Sequence, residues 1–285
     1  MAKEVVGLIH PGEMGVTVGA AATAGGARVL WASEGRSEAT RARVSRTSLE
    51  DANTLAALVE MSDVVLSVCP PHAAIDVAEQ VAALGFNGSF LDANAVSPAT
   101  ARVARAVVEA AGGGFVDGGI IGPPVHAAGT TRLYLSGTNA AKAAKAASLF
   151  EGSLLKAQVI DGDAGAASAL KMAYAAYTKG SSALLIAIRA LASAEGIEAP
   201  LMEEWGISQP GLEARSEQAA RNNAFKAWRF AGEMHEIADT FEAAGLPDGF
   251  HRAAAGIYQR LECFKDCNPA PAAGEVVAQV LKREG

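Results

Sequence analysis

The stretch VVGLIHPGEMGVTVGAAATAGGARVLWAS, residues 5–33, decides the fold. Val5 to Ile9 is a short apolar run of the kind that forms a buried parallel strand. HPGEMG follows, then a helix of mostly small residues from Val16 to Ala24, the Gly25-Gly26 break, and a second strand from Arg28 to Ser33. Strand, glycine turn, helix and strand in this order make a βαβ unit, so the chain opens on a parallel sheet.

The turn has the pattern His10-x-Gly12-x-x-Gly15, two of the three glycines of a dinucleotide-binding turn, with His10 where the first would stand. Gly12 lets the backbone approach a pyrophosphate and Gly15 lets helix and strand pack closely, while the helix N-terminus turns its positive end to the phosphates. His10 is read as a backbone-contact position that avoids the usual geometry of the tight turn, because it carries a Cβ. After the second strand, Ser33, Arg36 and Ser37 offer two hydroxyls and a guanidinium, with Arg41 and Arg43 nearby, a set suited to a 2′-phosphate. Glu34 is the competing group, suited to the ribose hydroxyls of NAD. The reading favours NADP, with NAD as the alternative.

Working outward, a helix is expected over Leu49 to Met61, and a strand over Asp63 to Cys69 that stops at Pro70-Pro71. A helix over Ala73 to Ala83, a strand over Phe90 to Asn94 and a helix from Pro98 to Ala111 come next. A strand over Gly114 to Ile121 runs into GGIIGPP. The strand Thr131 to Ser136, the helix Ala140 to Phe150 and the strand Lys156 to Ile160 follow. Seven or eight strands alternating with helices give a Rossmann-type doubly wound α/β domain over residues 1–163.

Residues 164–285 read as all-helical. A long helix from about Gly165 to Gly196 joins the domains, capped by Asp161 or Asp163 and ended by Gly196. It is apolar nearly all round, which predicts burial between two domains or two subunits, and hence a homodimer. Lys171, Tyr174 and Thr178 form a polar stripe along it. Ile197 to Gly211 is a loop or short helix, and helices follow over 212–224, 226–244, 250–264 and 274–283.

Composition narrows the function. The 285 residues are 50% hydrophobic and 19% charged, a globular balance. A net charge of −7 without a basic block argues against a nucleic-acid partner. Cys69, Cys263 and Cys267 suggest neither a disulfide framework nor a zinc site, and no metal is expected. No run has the length of a signal peptide or a membrane span, so a cytoplasmic protein is expected.

The order of motifs is a turn ending in Glu-Met-Gly, a strand ending in Pro-Pro, Asp92-Ala-Asn94 with Ser97-Pro98, Asp117-Gly-Gly with Gly122, and a long helix with Lys171. It resembles the β-hydroxyacid dehydrogenase and 6-phosphogluconate dehydrogenase superfamily. GLIHPGEMG, ALKMAYAAYTKG, KAWRFAGEMHEIA and AGLPDGFHRAAAGIY resemble its NAD(P)-binding subgroup with a poorly characterised helical C-terminal domain. The resemblance places His10, Pro11, Gly12, Glu13, Met14 and Gly15 in the pyrophosphate loop. It places Cys69, Pro70 and Pro71 along the nicotinamide–ribose crevice, and Asn94 near nicotinamide and substrate. Gly118, Gly119, Ile120, Ile121 and Gly122 fall on the substrate-binding segment, and Lys171 falls on the catalytic lysine. Ile121 stands where the family has a serine and Ala175 where it has an asparagine, so neither 3-hydroxyisobutyrate nor 6-phosphogluconate is the expected substrate.

The expectation is an NADP-dependent oxidoreductase acting on a small hydroxy acid, oxo acid or related carbonyl. Lys171 is its general acid and base, with a pKa lowered by burial, and Tyr174 shares the proton or orients the substrate. An imine reductase is the second reading, against which the retained lysine argues. A nucleotide-binding scaffold without turnover is the third, motivated by His10, Ile121 and Ala175. The resemblance also implies dimerisation through the long helix.

Overall fold

The computed structural model describes residues 3–265 and 267–282. The first strands are β1 (Val5–Ile9), β2 (Arg28–Trp31), β3 (Glu50–Asp51) and β4 (Val64–Ser67), followed by β5 (Ser89–Asp92), β6 (Gly114–Ile121), β7 (Arg132–Ser136) and β8 (Lys156–Val159). They form one sheet in the order β3-β2-β1-β4-β5-β6-β7-β8. Only the β6–β7 pair is antiparallel. The order reverses between β1 and β4, which opens a crevice at the carboxyl ends of these two strands.

Helices α1 (Glu13–Ala24), α2 (Glu38–Val44), α3 (Leu55–Met61), α4 (Ala74–Ala83), α5 (Pro98–Ala110) and α6 (Ala140–Ser148) connect the strands. The strands alternate their side chains between two cores. Val6, Leu8, Val29, Leu66 and Leu91 face α1 and α6, whereas Leu30, Val65, Phe90 and Phe115 face α3, α4 and α5. This doubly wound arrangement and the helical region after it agree with the sequence reading. Two elements differ. α2 is a helix in a segment to which the sequence reading assigns no element, started by Ser37, whose hydroxyl accepts from the Thr40 amide at 3.3 Å. The helix expected from Leu49 begins only at Leu55, because Glu50 and Asp51 pair with Leu30 and Trp31 as an edge strand, and Thr54 caps the shortened helix.

The long helix is α7 (Ala166–Ala194), 29 residues. Its start is held not by Asp161 or Asp163 side chains but by Asp117 of β6. That carboxylate, 1% exposed, accepts from the amides of Gly165 and Ser168 at 2.8 and 3.0 Å. It also accepts from the hydroxyls of Ser136 at 3.1 Å and Ser168 at 2.6 Å. The Ser136 hydroxyl in turn accepts from the Ala167 amide at 3.0 Å. One buried anion thus satisfies amides at a helix N-terminus, where negative charge is favoured. Gly196 closes the far end with φ 68°, as the sequence predicts.

The chain divides into two compact units, Met1–Met172 and Ala173–Gly285. The second contains the rest of α7 and α8 (Glu198–Ser208), α9 (Leu212–Ala224), α10 (Ala227–Ala243), α11 (Gly249–Gln259) and α12 (Ala273–Leu281). The segment left open between loop and helix is α8, and Arg283, the expected end of the last helix, lies outside the described residues. Buried Ala231, Met234 and Ile237 of α10 and Ala254 and Tyr258 of α11 carry the helix pair. Phe230 meets Tyr258 edge-on at 5.3 Å, and the Tyr258 hydroxyl donates to the Lys179 carbonyl at 2.8 Å. Lys179 pairs with Glu233 at 2.8 Å and lies over the Phe230 ring at 5.0 Å. Within one chain α7 is not covered all round. Tyr177 is 72% and Leu191 60% exposed, and Leu184 between them is exposed too. No helix among the described residues is long and apolar enough to cross a membrane.

The Asp117 cap gives a direct test. Asp117→Ala leaves two buried helix amides without their acceptor and is expected to lower unfolding stability by on the order of 3 kcal/mol in denaturant titration. Ser168→Ala should cost about 1 kcal/mol. A loss below about 1 kcal/mol for Asp117→Ala would contradict this role.

Candidate functional site

The site lies where β1, β4, β5 and β6 end. β1 leads into His10, whose φ of 62° is left-handed. The sequence reading had His10 avoiding the tight-turn geometry; instead the histidine adopts the conformation that a glycine would supply, one that histidine tolerates better than most residues. The Gly12 amide donates back to the His10 carbonyl at 2.7 Å. A Cβ on Gly15 would stand 2.4 Å from that same carbonyl oxygen, so this position admits only glycine. Gly12 is the N-cap of α1 and makes no side-chain capping bond. The amides that begin α1, at Glu13 and Met14, therefore meet no capping side chain from Gly12, an arrangement suited to phosphate. Pro11 is buried, and its carbonyl accepts from Arg43 at 3.4 Å.

Beside the turn is a cavity of about 310 Å³, lined among others by His10, Glu34, Arg36, Asp76 and Gln80. His10 Nδ1 and Arg36 Nε are both buried without a hydrogen-bond partner. Burial, helped by the Arg36 charge, pulls the His10 imidazole down to about 4. Burial also lowers the pKa of Arg36. The neighbouring hydroxyls do not line this cavity: Ser37 caps α2, and Ser33 is buried, its amide donating to Asp51 Oδ1 at 3.2 Å. Arg41 donates to the Ser33 carbonyl at 2.7 Å. Of the groups read as a phosphate set, Arg36 alone lines this cavity, together with Glu34, the group read as a ribose ligand.

The ends of β4 and β5 are tied by Asn94. Its Oδ1 accepts from the Cys69 amide at 2.6 Å, and its Nδ2 donates to Ser67 Oγ at 3.1 Å. The Asn94 amide donates to Asp92 Oδ1 at 3.0 Å. Cys69 is buried, and loss of solvent pushes its thiol up to about 12, so it is no thiolate nucleophile. Pro70 caps a 3₁₀ turn that begins at Pro71 and leads into α4.

At the end of β6, Gly119 faces α7. A Cβ there would lie 2.6 Å from the Ala167 carbonyl oxygen and 3.1 Å from the Lys171 Cβ. Ile120 and Ile121 are buried, and Gly122 takes φ 128°. The structure thus brings the glycine segment against the helix turn that carries Lys171, which is half-buried. Tyr174 follows one turn later and is exposed. Sequence reasoning missed the anchor of this arrangement, Asp117 with Ser136 and Ser168. The signal was available: a carboxylate within the apolar strand GFVDGGII needs charge-stabilising partners when buried. Among the described residues no group of three or more His, Cys, Asp or Glu could hold a metal ion.

A parallel sheet with a glycine turn at its first strand and an uncapped helix above that turn defines a nucleotide-binding protein. Residues 5–154 match the NAD-binding domain of 6-phosphogluconate dehydrogenase, and the chain belongs to that family. Residues 192–261 match a domain of unknown function, DUF1932. An uncharacterised 28.5 kDa protein of Methanothermus fervidus is 31% identical over 171 residues, 60% of this chain and 64% of that protein, so the aligned part is under two thirds of the relative's length. The structure of the conserved protein MTH1747, of unknown function and described as similar to 3-hydroxyacid dehydrogenases, aligns at TM-score 0.66 and 26% identity, covering 98% of this chain and 100% of that one. The 3-hydroxyisobutyrate dehydrogenase of Mycobacterium tuberculosis shares the fold at TM-score 0.70 and 18% identity, covering 99% and 100%.

The buried histidine predicts an acid limb in stability. The folded His10 titrates near 4, against 6.5 ordinarily, so between these values the unfolded chain binds more protons. The His10 contribution is complete above about pH 6.5 and is lost as the pH falls toward 4. Thermal midpoints of the wild type and His10→Asn, followed from pH 8 to pH 4, should change relative to each other in that window in favour of the variant. Parallel curves would refute it.

Proposed function

We propose that this chain is an NADP-dependent oxidoreductase that moves hydride to or from a small hydroxy acid, oxo acid or related carbonyl. The observation that carries the reading is the packing of Gly119 against Lys171 Cβ, at the same sheet edge as the open N-terminus of α1. The residues present fit the cofactor: Glu13 and Met14 offer backbone amides to a pyrophosphate, and His10 and Arg36, which line the cavity, each have a nitrogen that lacks a partner. Arg36, with Glu34 as the opposing group, supports NADP over NAD.

A bound nicotinamide would supply or take the hydride. Lys171 Nζ gives a proton to the substrate oxygen in reduction and takes it back in oxidation. Tyr174 orients the substrate or shares that proton. The absence of side chains at Gly118, Gly119 and Gly122 lets neighbouring backbone pack close against this segment, with Gly119 against the turn of α7 that carries Lys171. Buried Ile121 and Ala175 offer it no polar group, which favours a substrate other than 3-hydroxyisobutyrate or 6-phosphogluconate. Asn94 acts by holding the ends of β4 and β5 in place.

In this reading residues 164–285 form the substrate and dimerisation region. Tyr177, Leu184 and Leu191 are exposed at seven-residue spacing on one face of α7, and a second copy of the chain would cover them. Sedimentation should give a dimer at micromolar concentration, and Leu184→Glu should shift it to monomer. A monomeric wild type would refute the dimer.

The activity test is oxidation of NADPH with a panel of carbonyl acids and cyclic imines. Turnover on a carbonyl acid is expected, falling about 10²–10⁴-fold in Lys171→Ala with NADP binding retained. Reduction of cyclic imines alone would move the chain to the imine-reductase reading. Turnover unchanged in Lys171→Ala would remove the lysine from the mechanism.

A further inference from the structure

His10 is more than a departure from a glycine pattern. Its backbone takes over the left-handed conformation, and its side chain then lines the cavity beside the end of β2. Leu8 pairs with Trp31 in parallel register, so two residues further on His10 lies level with Ser33, where the segment carrying Arg36 leaves the sheet. His10 and Arg36 each bury one nitrogen that has no partner, Nδ1 and Nε. The two groups are close enough for the guanidinium charge to disfavour protonation of the imidazole. Both side chains line one cavity at the end of β2, and each holds a nitrogen that no protein group satisfies, a pairing that an anion bound in the cavity would complete. The hydroxyls that could otherwise have served it are not in its lining: Ser33 is buried and Ser37 caps α2.

We propose that the His10 imidazole and the Arg36 guanidinium together hold the 2′-phosphate of NADP, making His10 a determinant of cofactor preference. The inference rests on the NADP reading above and deepens it. The charged groups around His10 are Arg36 and Glu34 after β2, Asp76 on α4, Glu13 at the start of α1, and Arg43 of α2 at the Pro11 carbonyl. Glu34 and Asp76 oppose a phosphate, which is why one arginine alone is a weak reader here and a second donor matters. A phosphate dianion against the imidazole favours its protonated form, so NADP binding draws a proton onto His10 where NAD binding does not.

Isothermal calorimetry of the full chain with NADP and with NAD, at pH 7 in two buffers of different ionisation enthalpy, reads both affinity and proton uptake. The wild type should prefer NADP and take up protons with NADP relative to NAD. His10→Asn should weaken NADP about tenfold, leave NAD within about twofold, and abolish the extra uptake. His10→Gly, which suits the left-handed backbone, should do the same and serves as the second variant. A wild type that prefers NADP while both variants keep that preference and the same proton count would overturn the role of His10 and leave the NADP reading standing. Equal affinity of the wild type for NADP and NAD would overturn the NADP reading, and this inference with it. Tighter binding of both cofactors by His10→Gly would mark the imidazole as an obstruction and also overturn the inference.

Discussion

The bond network around the Asp117 carboxylate positions the rest of the candidate site. A buried carboxylate is costly unless its lone pairs are used, and here two helix amides and two hydroxyls use them. The same network fixes α7 to β6 at the first turn. With the turn fixed, the next residue on that face of α7 reaches the strand at Gly119, and Lys171 is set against the glycine segment. Moving the cap by one residue would rotate the lysine by about 100° around the helix.

Small residues complete what the cap begins. Gly15 lies against the His10 carbonyl and Gly119 against α7, and in both cases a Cβ would collide with backbone rather than with a movable side chain. Backbone, strand ends and helix starts are thereby drawn to one edge of the sheet. The polar side chains at this edge mostly brace the fold. Asn94 joins two strand ends, Ser37 starts a helix, and Asp51 accepts from the Ser33 amide. Lys171 stands at the glycine segment, and Arg36 lines the cavity with His10.

Much of the fold was legible because its signals are local. Apolar runs, paired glycines and Pro70-Pro71 mark the strands and turns, and the β6 bounds, Gly114–Ile121, were read from the sequence without change. Signals failed where tertiary pairing decides. Glu50 and Asp51 are poor strand formers, recruited only because Leu30 and Trp31 lie beside them. The α7 cap comes from a residue 48 positions away from Gly165, a distance that capping patterns in sequence do not span. The glycine turn and Lys171 could be read as a site from residue type and order. The cavity at His10 could not, because it depends on the direction of a side chain from an unusual backbone conformation.

The central claim is that this sheet edge binds NADP. Thermal unfolding of the wild type with NADP, with NAD and with neither tests it most directly, since a ligand that binds only the folded chain raises its stability by about 2.7 kcal/mol at 100-fold excess over Kd. The account predicts a larger rise in the midpoint with NADP than with NAD. An unchanged midpoint with both would contradict it, and the fold would then be a nucleotide-binding scaffold that has lost its ligand.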